Sequence, residues 1–242
     1  VVKEEILKLK IIYVPVLDEN KKIVEFLVWD KLFDGKIKRK TKEALDVPVV
    51  IMAGGKGARL DPFTRILPKP LIPIGEKTIL EIIIDKFLDY RVNHFYISIN
   101  HKAKIIKSYF EELDPNYKLT YLYEDKPLGT VGGLKQLEGQ IEGNLILTNC
   151  DIIIEADYTD ILKHHRENTN DITVVASLKH YNIPYGICEI ENGGTLVCIK
   201  EKPEYDFLVN TGMYIINSES LKFIPENEFF HITHLIEAVQ RL

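Results

Sequence analysis

The chain has 242 residues, of which 45% are hydrophobic and 28% are charged, and its formal net charge is −5. This length is sufficient for one well-packed domain with some chain left over. The acidic balance argues against nucleic acid or an anionic membrane as a partner, because both favour a basic protein face. Cys150, Cys188 and Cys198 are too few and too scattered for a disulfide framework or a zinc site. No apolar run reaches the length of a membrane span. We therefore expect a cytoplasmic protein with free thiols.

The first 33 residues are predicted to form a small unit of their own. After a helix end at residues 5–10, two strands are predicted over residues 11–17 and 23–29, joined by a polar turn. Pro15 within the first strand indicates an edge position or a strand start. A half-unit of this size cannot close its own apolar face, and residue 1 is not methionine. We therefore expect a fragment whose missing part lies upstream. The charged, glycine-containing stretch that follows predicts a linker over residues 34–46.

From residue 47 to residue 242 the pattern predicts a second domain in which strands and helices alternate. Such alternation implies an α/β fold with a doubly wound, mostly parallel sheet, which binds ligands at the carboxyl ends of its strands. Its first half is predicted to contain strands at residues 49–52, 94–99, 118–123 and 144–148, and helices at residues 78–90, 102–113 and 130–137. Its second half is predicted to contain strands at residues 172–178, 186–191, 197–200 and 207–216, and a helix from residue 230 that the chain end cuts off.

Residues 49–77 are the most informative stretch of the sequence. A short apolar run leads into Gly54, Gly55 and Gly57, and a backbone without side chains lets a phosphate approach closely. The spacing matches neither the dinucleotide fingerprint nor a Walker loop, and the glycines alone are equally compatible with an ordinary strand-to-helix turn. Arg59 and Lys69 add two cations, which suits a triphosphate. The prolines on both sides of Lys69 predict an extended backbone there and exclude a helix.

This stretch resembles the signature of the sugar-1-phosphate nucleotidylyltransferases, GGxGTRLxPxTxxxPKPLxPxxxKP. Ala58 and Thr78 stand where that family has Thr or Ser and Pro. The resemblance implies a Rossmann-like, GT-A-like fold and a Mg²⁺-dependent enzyme that joins an NTP to a hexose- or hexosamine-1-phosphate and releases pyrophosphate. It also implies catalytic roles for Arg59 and Lys69, and nucleotide binding by Ala53, Gly54, Gly55 and Gly57. The matching residues are Gly54, Gly55, Gly57, Arg59, Leu60, Pro62, Thr64, Pro68, Lys69, Pro70, Leu71, Pro73 and Lys77.

Asp151 directly follows the apolar strand predicted at residues 144–148. A carboxylate at the carboxyl end of a parallel strand is well placed to hold Mg²⁺ against a nucleotide phosphate, although a turn residue or a helix N-cap would look the same. The resemblance implies the metal role. The family usually has a second metal-binding Asp in a W-x-D-x-G segment, and none follows Phe230. We therefore expect either a truncated C-terminus or a ligand supplied otherwise.

Residues 125–130 resemble the base-binding PLGT segment of the same family, which implies base contacts by Gly129 and Thr130 and a nearby Asn100. Glu124, directly upstream, bears on which base is bound. Guanine offers two adjacent donors, N1–H and N2–H₂, which one carboxylate can accept together, whereas Gln would suit uracil or thymine. Glu124 therefore predicts GTP, and an ordinary surface Glu at a strand end is the alternative.

A third segment resembles the sugar site of the family. Tyr185-Gly186 and Glu201-Lys202-Pro203 match its YG…EKP pair, although EKP alone is a weak signal because charged residues before proline are common in loops. The resemblance implies that Gly186 and Glu201 contact the sugar and that Lys202 holds the sugar phosphate. Asn210, in a segment similar to the family's NxGxY strand, is the third predicted sugar contact.

Residues 13–28 resemble the closing half of a cystathionine-β-synthase-type (CBS) regulatory domain, VPVVDENGKVVGILT, with Glu25 in place of Gly. A plain β-hairpin is the alternative. A CBS-type piece before this catalytic domain resembles the glucosamine-1-phosphate guanylyltransferases of the legionaminic acid pathway. Mannose-1-phosphate guanylyltransferases and glucose-1-phosphate thymidylyl- or uridylyltransferases remain alternatives, as do an inactive nucleotide-sugar sensor and an unrelated Rossmann-type binding protein. Homo-oligomerisation and the ligand of the CBS-type piece stay open.

Overall fold

The computed structural model describes residues 13–18, 21–28, 42–55 and 57–241. The chain divides into two compact units, Val1–Lys42 and Glu43–Leu242. In the first unit, β1 (Tyr13–Leu17) and β2 (Ile23–Val28) form an antiparallel hairpin. The predicted helix end at residues 5–10 and the linker residues 34–41 lie outside the described residues, so the CBS-type interpretation stays a prediction.

The second unit contains ten strands, four α-helices and several short 3₁₀ helices within the described residues. The strands are β3 (Val49–Met52), β4 (Pro73–Ile74), β5 (Lys77–Thr78), β6 (His94–Ile99), β7 (Lys118–Tyr123), β8 (Asn144–Asn149), β9 (Ile172–Asn182), β10 (Ile187–Glu191), β11 (Thr195–Lys200) and β12 (Glu204–Asn217). The helices are α1 (Ile79–Leu88), α2 (Ala103–Leu113), α3 (Tyr158–Glu167) and α4 (Ile232–Gln240). None of these helices combines the length and apolar character that a bilayer crossing requires.

Six of these strands form one sheet in the order β7-β6-β3-β8-β12-β9. The pairs β6–β7, β3–β6 and β3–β8 are parallel, and β12 runs antiparallel to both of its neighbours. β10 and β11 form a separate two-stranded hairpin. This topology confirms the predicted mixed α/β fold with a mostly parallel sheet.

Apolar layers cover both faces of the sheet. Alternate residues of β3 face opposite sides: Val49 and Ile51 belong to the cluster that includes α1 and α3, and Val50 belongs to the cluster that includes α4. All three side chains are fully buried. Burial on both faces explains why β3 is a continuous apolar run rather than an alternating one. The carboxyl end of β3 is therefore held firmly between two packed layers.

Helix α1 begins where the sequence predicts. Thr78 is its N-cap, and the Thr78 hydroxyl oxygen accepts from the Glu81 N–H at 3.3 Å while the Glu81 carboxylate accepts from the Thr78 N–H at 2.8 Å. This reciprocal pair satisfies two backbone donors that a helix start leaves free. The cap fixes the end of the segment that starts at Gly54, Gly55 and Gly57, which we call the glycine loop.

Two helical segments differ from the sequence prediction. The helix expected at residues 130–137 is a 3₁₀ helix, Gly132–Leu137. Two glycines at its start lower the α-helix propensity, and a Cβ on Gly133 would lie 2.6 Å from Glu124 Oε1. Helix α3 was not predicted. Its signals were the Asp157 cap, which accepts from the Thr159 N–H at 3.0 Å, and the buried Tyr158, Leu162 and His165 at helical spacing.

The paired strands β9 and β12 differ along their length. Residues 212–216 of β12 are buried in the sheet, whereas residues 206–210 are exposed. A register shift between Asn210 and Met213 separates the two parts. We call residues 176–210, which comprise the exposed ends of β9 and β12 with the β10–β11 hairpin between them, the β-arm. The β-arm carries all four residues that the sequence assigns to the sugar site.

Candidate functional site

The parallel strands bring three separate segments of chain to one edge of the sheet. Met52, at the end of β3, pairs with Ser98 on β6 and with Asn149 on β8. Two backbone bonds extend this pairing, from the Ala53 N–H to the Ser98 carbonyl at 2.8 Å and from the Cys150 N–H to the Met52 carbonyl at 3.2 Å. The glycine loop and Asp151 therefore leave the sheet side by side.

A cavity of about 630 Å³ lies at this edge. This volume is within the usual range for small-molecule sites. Eight residues that the sequence singled out line the cavity, namely Gly54, Gly55, Gly57, Lys69, Glu124, Gly129, Thr130 and Asp151. Seven further residues line the cavity. Ala58, Leu60 and Pro127 lie in the segments that carry the family resemblance but were given no role, and Met52, Asn149, Cys150 and Phe229 were missed.

Gly57 allows the loop to fold back on itself. Its φ is +65°, and an added Cβ would lie 2.9 Å from Thr64 Cγ2 and 3.0 Å from Lys69 Cβ. Any side chain here would be strained both by the left-handed backbone and by these contacts. The Thr64 hydroxyl donates to the Gly57 carbonyl at 3.1 Å. The start of the loop is thus packed against the segment that carries Lys69.

Lys69 reaches the cavity from a short 3₁₀ helix, Lys69–Leu71. The prediction of an extended backbone at Lys69 is wrong. Pro68 is extended, but Pro70 is compatible with the first turn of a helix because its ring fixes a helical φ. The Lys69 ammonium forms an ion pair with the Asp151 carboxylate, and their side chains are 18% and 31% exposed. Both side chains are mostly covered and line the cavity, so an anion entering there meets the ammonium and a cation meets the carboxylate.

Asp151 is the residue to test against a metal ion. Mg²⁺ sites in nucleotide enzymes commonly use one or two carboxylates and complete the shell with water and substrate phosphates. Asp151 offers one partly exposed carboxylate beside Gly54, Gly55 and Gly57, which fits such a site. No cluster of three or more His, Cys, Asp or Glu side chains able to hold a metal occurs in the described part of the chain. At such a site, water and substrate phosphate oxygens would complete the shell around a metal ion held by Asp151.

Glu124 also lines the cavity, and several neighbours hold its side chain and backbone. It is 8% exposed. The Ser98 hydroxyl donates to Glu124 Oε1 and the Leu128 N–H donates to Oε2, the latter at 3.0 Å. Asn100, which does not line the cavity among the described residues, donates from Nδ2 to the Glu124 carbonyl at 2.6 Å. A carboxylate has about four acceptor positions, so one acceptor position on each oxygen remains for a ligand.

The wall next to Glu124 is fixed by a distant segment, residues 228–232. The Phe230 N–H donates to the Leu128 carbonyl at 2.9 Å, and the Ile232 N–H donates to the Thr130 hydroxyl at 2.7 Å. Gly129 has a φ of +82°, and a Cβ there would lie 2.5 Å from the Phe230 carbonyl oxygen. Glycine is therefore needed for this close approach. The same pairing brings Phe229, which is 57% exposed, to the cavity rim.

The residues assigned to the sugar site lie on the β-arm. Gly186 and Glu201 are adjacent, since a Cβ on Gly186 would lie 3.0 Å from Glu201 Oε2. Asn210 uses both side-chain atoms within β12: Oδ1 accepts from the Gly212 N–H at 2.9 Å, and Nδ2 donates to the Tyr214 hydroxyl at 2.7 Å. Gly186, Glu201, Lys202 and Asn210 are not among the described residues that line the cavity. The described residues that line the cavity thus include most of those predicted to bind the nucleotide and none of the four predicted to bind the sugar phosphate.

Ala53 and Arg59 are two further residues that the sequence assigns to the site. Ala53 is buried and continues the pairing of β3. Arg59 lies in the 3₁₀ helix Ala58–Leu60, and its side chain lies outside the described part of the chain. Lys56, next to the loop glycines, also lies outside it. The cationic role of Arg59 therefore stays a prediction.

Cys150 provides a chemical probe of this wall. Burial, together with the neighbouring Asp151, raises the pKa of its thiol to about 12. Because the thiolate is the nucleophile, we expect iodoacetamide at pH 8 to label the exposed Cys188 and to leave Cys150 unmodified, as measured by peptide mass spectrometry. Denaturant should expose all three thiols to labelling. Equal labelling of Cys150 and Cys188 in the folded protein would contradict this description.

A family model described as nucleotidyl transferase matches residues 48–237. The UTP–glucose-1-phosphate uridylyltransferase of Synechocystis sp. is 27% identical over 202 residues, which cover 76% of this chain and 52% of that protein. The bifunctional protein GlmU of Methanococcus aeolicus is 29% identical, with 79% of this chain and 43% of that protein covered. The chain thus spans about half the length of these curated relatives. The D-glycero-alpha-D-manno-heptose 1-phosphate guanylyltransferase of Campylobacter jejuni is 24% identical, with 78% and 84% covered.

Solved structures give the same picture. The crystal structure of HddC from Yersinia pseudotuberculosis complexed with GMP-PN matches with a TM-score of 0.59 and 27% identity, covering 76% of this chain and 82% of that one. A putative glucose-1-phosphate thymidylyltransferase from Bacillus anthracis matches with a TM-score of 0.62 at 20% identity, covering 81% and 83%. The second match supports the fold alone.

Proposed function

Because this chain belongs to the nucleotidyl transferase family of sugar-1-phosphate nucleotidylyltransferases, we propose that it transfers a guanylyl group from GTP to a hexosamine 1-phosphate, of which glucosamine 1-phosphate is the first candidate. One observation carries the proposal: the glycine loop, Lys69, Asp151 and Glu124 line a single cavity. These residues supply, in turn, a phosphate-binding backbone, a cation, a metal ligand and an acceptor for a base. The guanylyltransferase named among the relatives and the GMP-PN complex add support for guanine.

The proposed reaction is an in-line displacement at phosphorus. An oxygen of the sugar 1-phosphate attacks the α-phosphorus of GTP, a new P–O bond forms, and the bond from the α-phosphorus to the bridging oxygen of pyrophosphate breaks. The nucleophile is already an anion, so no side chain has to remove a proton. Catalysis then rests on positioning and on stabilising negative charge.

In this proposal Lys69 and Asp151 exchange their mutual ion pair for contacts with the substrate. Lys69 would donate to the reacting phosphates, and Asp151 would hold Mg²⁺ together with phosphate oxygens. When bound, Mg²⁺ would neutralise phosphate charge and polarise the P–O bonds. In the ligand-free protein the ion pair holds both side chains at the cavity. Arg59 is proposed as a further cation for the leaving pyrophosphate.

For the base, Glu124 is proposed to accept from guanine N1–H and N2–H₂ through the positions left free by Ser98 and Leu128. Gly129 and Thr130 would form the adjoining wall. For the sugar, Gly186, Glu201 and Lys202 remain proposals on the β-arm, and Asn210 would act through the backbone that its side chain fixes. Residues 13–28 are proposed to be part of a CBS-type regulatory module.

The proposed substrates can be tested with a panel of GTP, UTP, dTTP and ATP, each paired with glucosamine, mannose and glucose 1-phosphate. We expect GTP with glucosamine 1-phosphate to give the highest kcat/KM, measured by pyrophosphate release and by the mass of the NDP-sugar. If UTP or dTTP is used faster than GTP, the proposed role of Glu124 is wrong. GTP binding without any product would contradict the transferase and favour a sensor.

A further inference from the structure

The loop between the first strand and the first helix of the catalytic unit, residues 57–71, is anchored in the core at its end by the buried Leu71, and few side-chain hydrogen bonds of the described residues connect the rest of it to other elements. Within this loop, Thr64 bonds to Gly57 and Arg65 pairs with Asp61. Among the described side chains, two hydrogen-bonded contacts connect the loop to other elements. One is the Lys69–Asp151 ion pair, and the other joins the Lys102 ammonium to the Thr64 carbonyl at 2.8 Å.

The first of these ties does not persist in the proposed reaction. If Asp151 binds a metal ion and Lys69 binds phosphate, their ion pair is broken at the moment when the loop has to be held most firmly. The contact from Lys102 involves no group that the substrate would need. It is therefore the described side-chain tie that survives when the nucleotide is bound.

Lys102 is placed for this role by the turn between β6 and α2. It is the N-cap residue of α2, with a φ of +56°. Two residues earlier in the same turn, Asn100 donates to the Glu124 carbonyl at 2.6 Å. One short turn therefore holds both the Glu124 wall and, through Thr64, the glycine loop. Thr64 is buried, and its hydroxyl donates to the Gly57 carbonyl. The bond from Lys102 to the Thr64 carbonyl therefore also restrains the position of Gly57.

We propose that Lys102 is a positioning residue that holds the Gly57–Leu71 loop in the geometry that binds the nucleotide triphosphate. This inference rests on the proposed function for the identity of the ligand, but not for the contact itself. Lys102 acts through Thr64 and Gly57 rather than on the reacting atoms. Its loss should weaken nucleotide binding and leave the sugar-phosphate side unchanged.

The test compares Lys102→Met, which keeps the apolar stem, with Lys102→Arg, which keeps a donor. Lys104→Met is the matched control, because Lys104 is an exposed lysine in the first turn of the same helix. In the ligand-free protein, amide exchange over residues 60–71 should accelerate in Lys102→Met alone. The KM for GTP should rise about tenfold, as for the loss of one charge-assisted hydrogen bond. The KM for the sugar phosphate should stay unchanged, and Lys102→Arg should restore most of the loss.

The outcomes separate this inference from the proposed function. Unchanged amide exchange in Lys102→Met would overturn the inference, whatever the enzyme does. Faster exchange with an unchanged KM for GTP would also overturn it, because the contact would then be structural only. If the wild-type protein transfers no guanylyl group, the proposed function fails, and the affinity for GTP measured by calorimetry takes the place of KM.

Discussion

Replacing Lys69 with alanine is expected to lower kcat by about a thousandfold, which corresponds to about 4 kcal/mol of transition-state stabilisation. Lys69 lines the cavity, is mostly covered, and pairs there with Asp151. A fixed cation in such a site stabilises charge that develops during phosphoryl transfer without having to reorganise. The measurement is kcat by pyrophosphate release with GTP and the sugar 1-phosphate at saturation.

The control for this experiment is Lys86→Ala. Lys86 also forms an ion pair with one carboxylate, that of Glu155, and it does not line the cavity among the described residues. Removing an exposed pair of this kind changes stability by about 1 kcal/mol or less and should leave kcat unchanged. Wild-type-like turnover in Lys69→Ala, with the melting temperature retained, would rule out the catalytic role of Lys69.

The sequence was sufficient for the elements whose pattern is local. β3, β6 and β7 were predicted with the observed bounds, because β3 is a continuous apolar run and the other two contain apolar residues between polar turns. The meeting of the glycine loop and Asp151 was also predictable, since the carboxyl ends of adjacent parallel strands share one edge. Local pattern and a single topological rule were enough for this half of the cavity.

The other half depends on contacts between distant parts of the chain. Phe229 reaches the cavity because residues 228–232 pair with residues 128–132, and no local feature of the sequence indicates that pairing. The same pairing, with the need of Gly132 and Gly133 for close packing, explains why a 3₁₀ helix replaced the predicted α-helix. Asn210 was assigned to the sugar from its motif alone. The motif did not reveal that the side-chain oxygen and nitrogen of Asn210 both form hydrogen bonds within β12.

Replacing Glu124 with glutamine is expected to lower kcat/KM for GTP by about a hundredfold while changing that for UTP by about threefold or less. The substitution conserves shape but exchanges one acceptor oxygen for an NH₂ donor. The Ser98 hydroxyl can turn to accept from the new NH₂ group while the amide oxygen still accepts from the Leu128 N–H, so the wall is retained but one acceptor position instead of two remains for the guanine donors. A buried donor left without an acceptor costs about 1–3 kcal/mol, which sets the size of the loss. The measurement is kcat/KM for both nucleotides at a fixed sugar 1-phosphate concentration.

The ratio of kcat/KM for GTP to that for UTP distinguishes a Glu124 that binds the base from one that only holds the cavity wall in place. If Glu124 only fixes the loop at Leu128, the glutamine variant acts on every base alike, and the kcat/KM values for GTP and UTP change together. Ser98→Ala provides the matched comparison, because it removes one donor and leaves the carboxylate, whose oxygen then gains a free acceptor position. We expect that variant to retain its preference for GTP. A parallel loss in Glu124→Gln would therefore mean that guanine is selected elsewhere on the cavity wall.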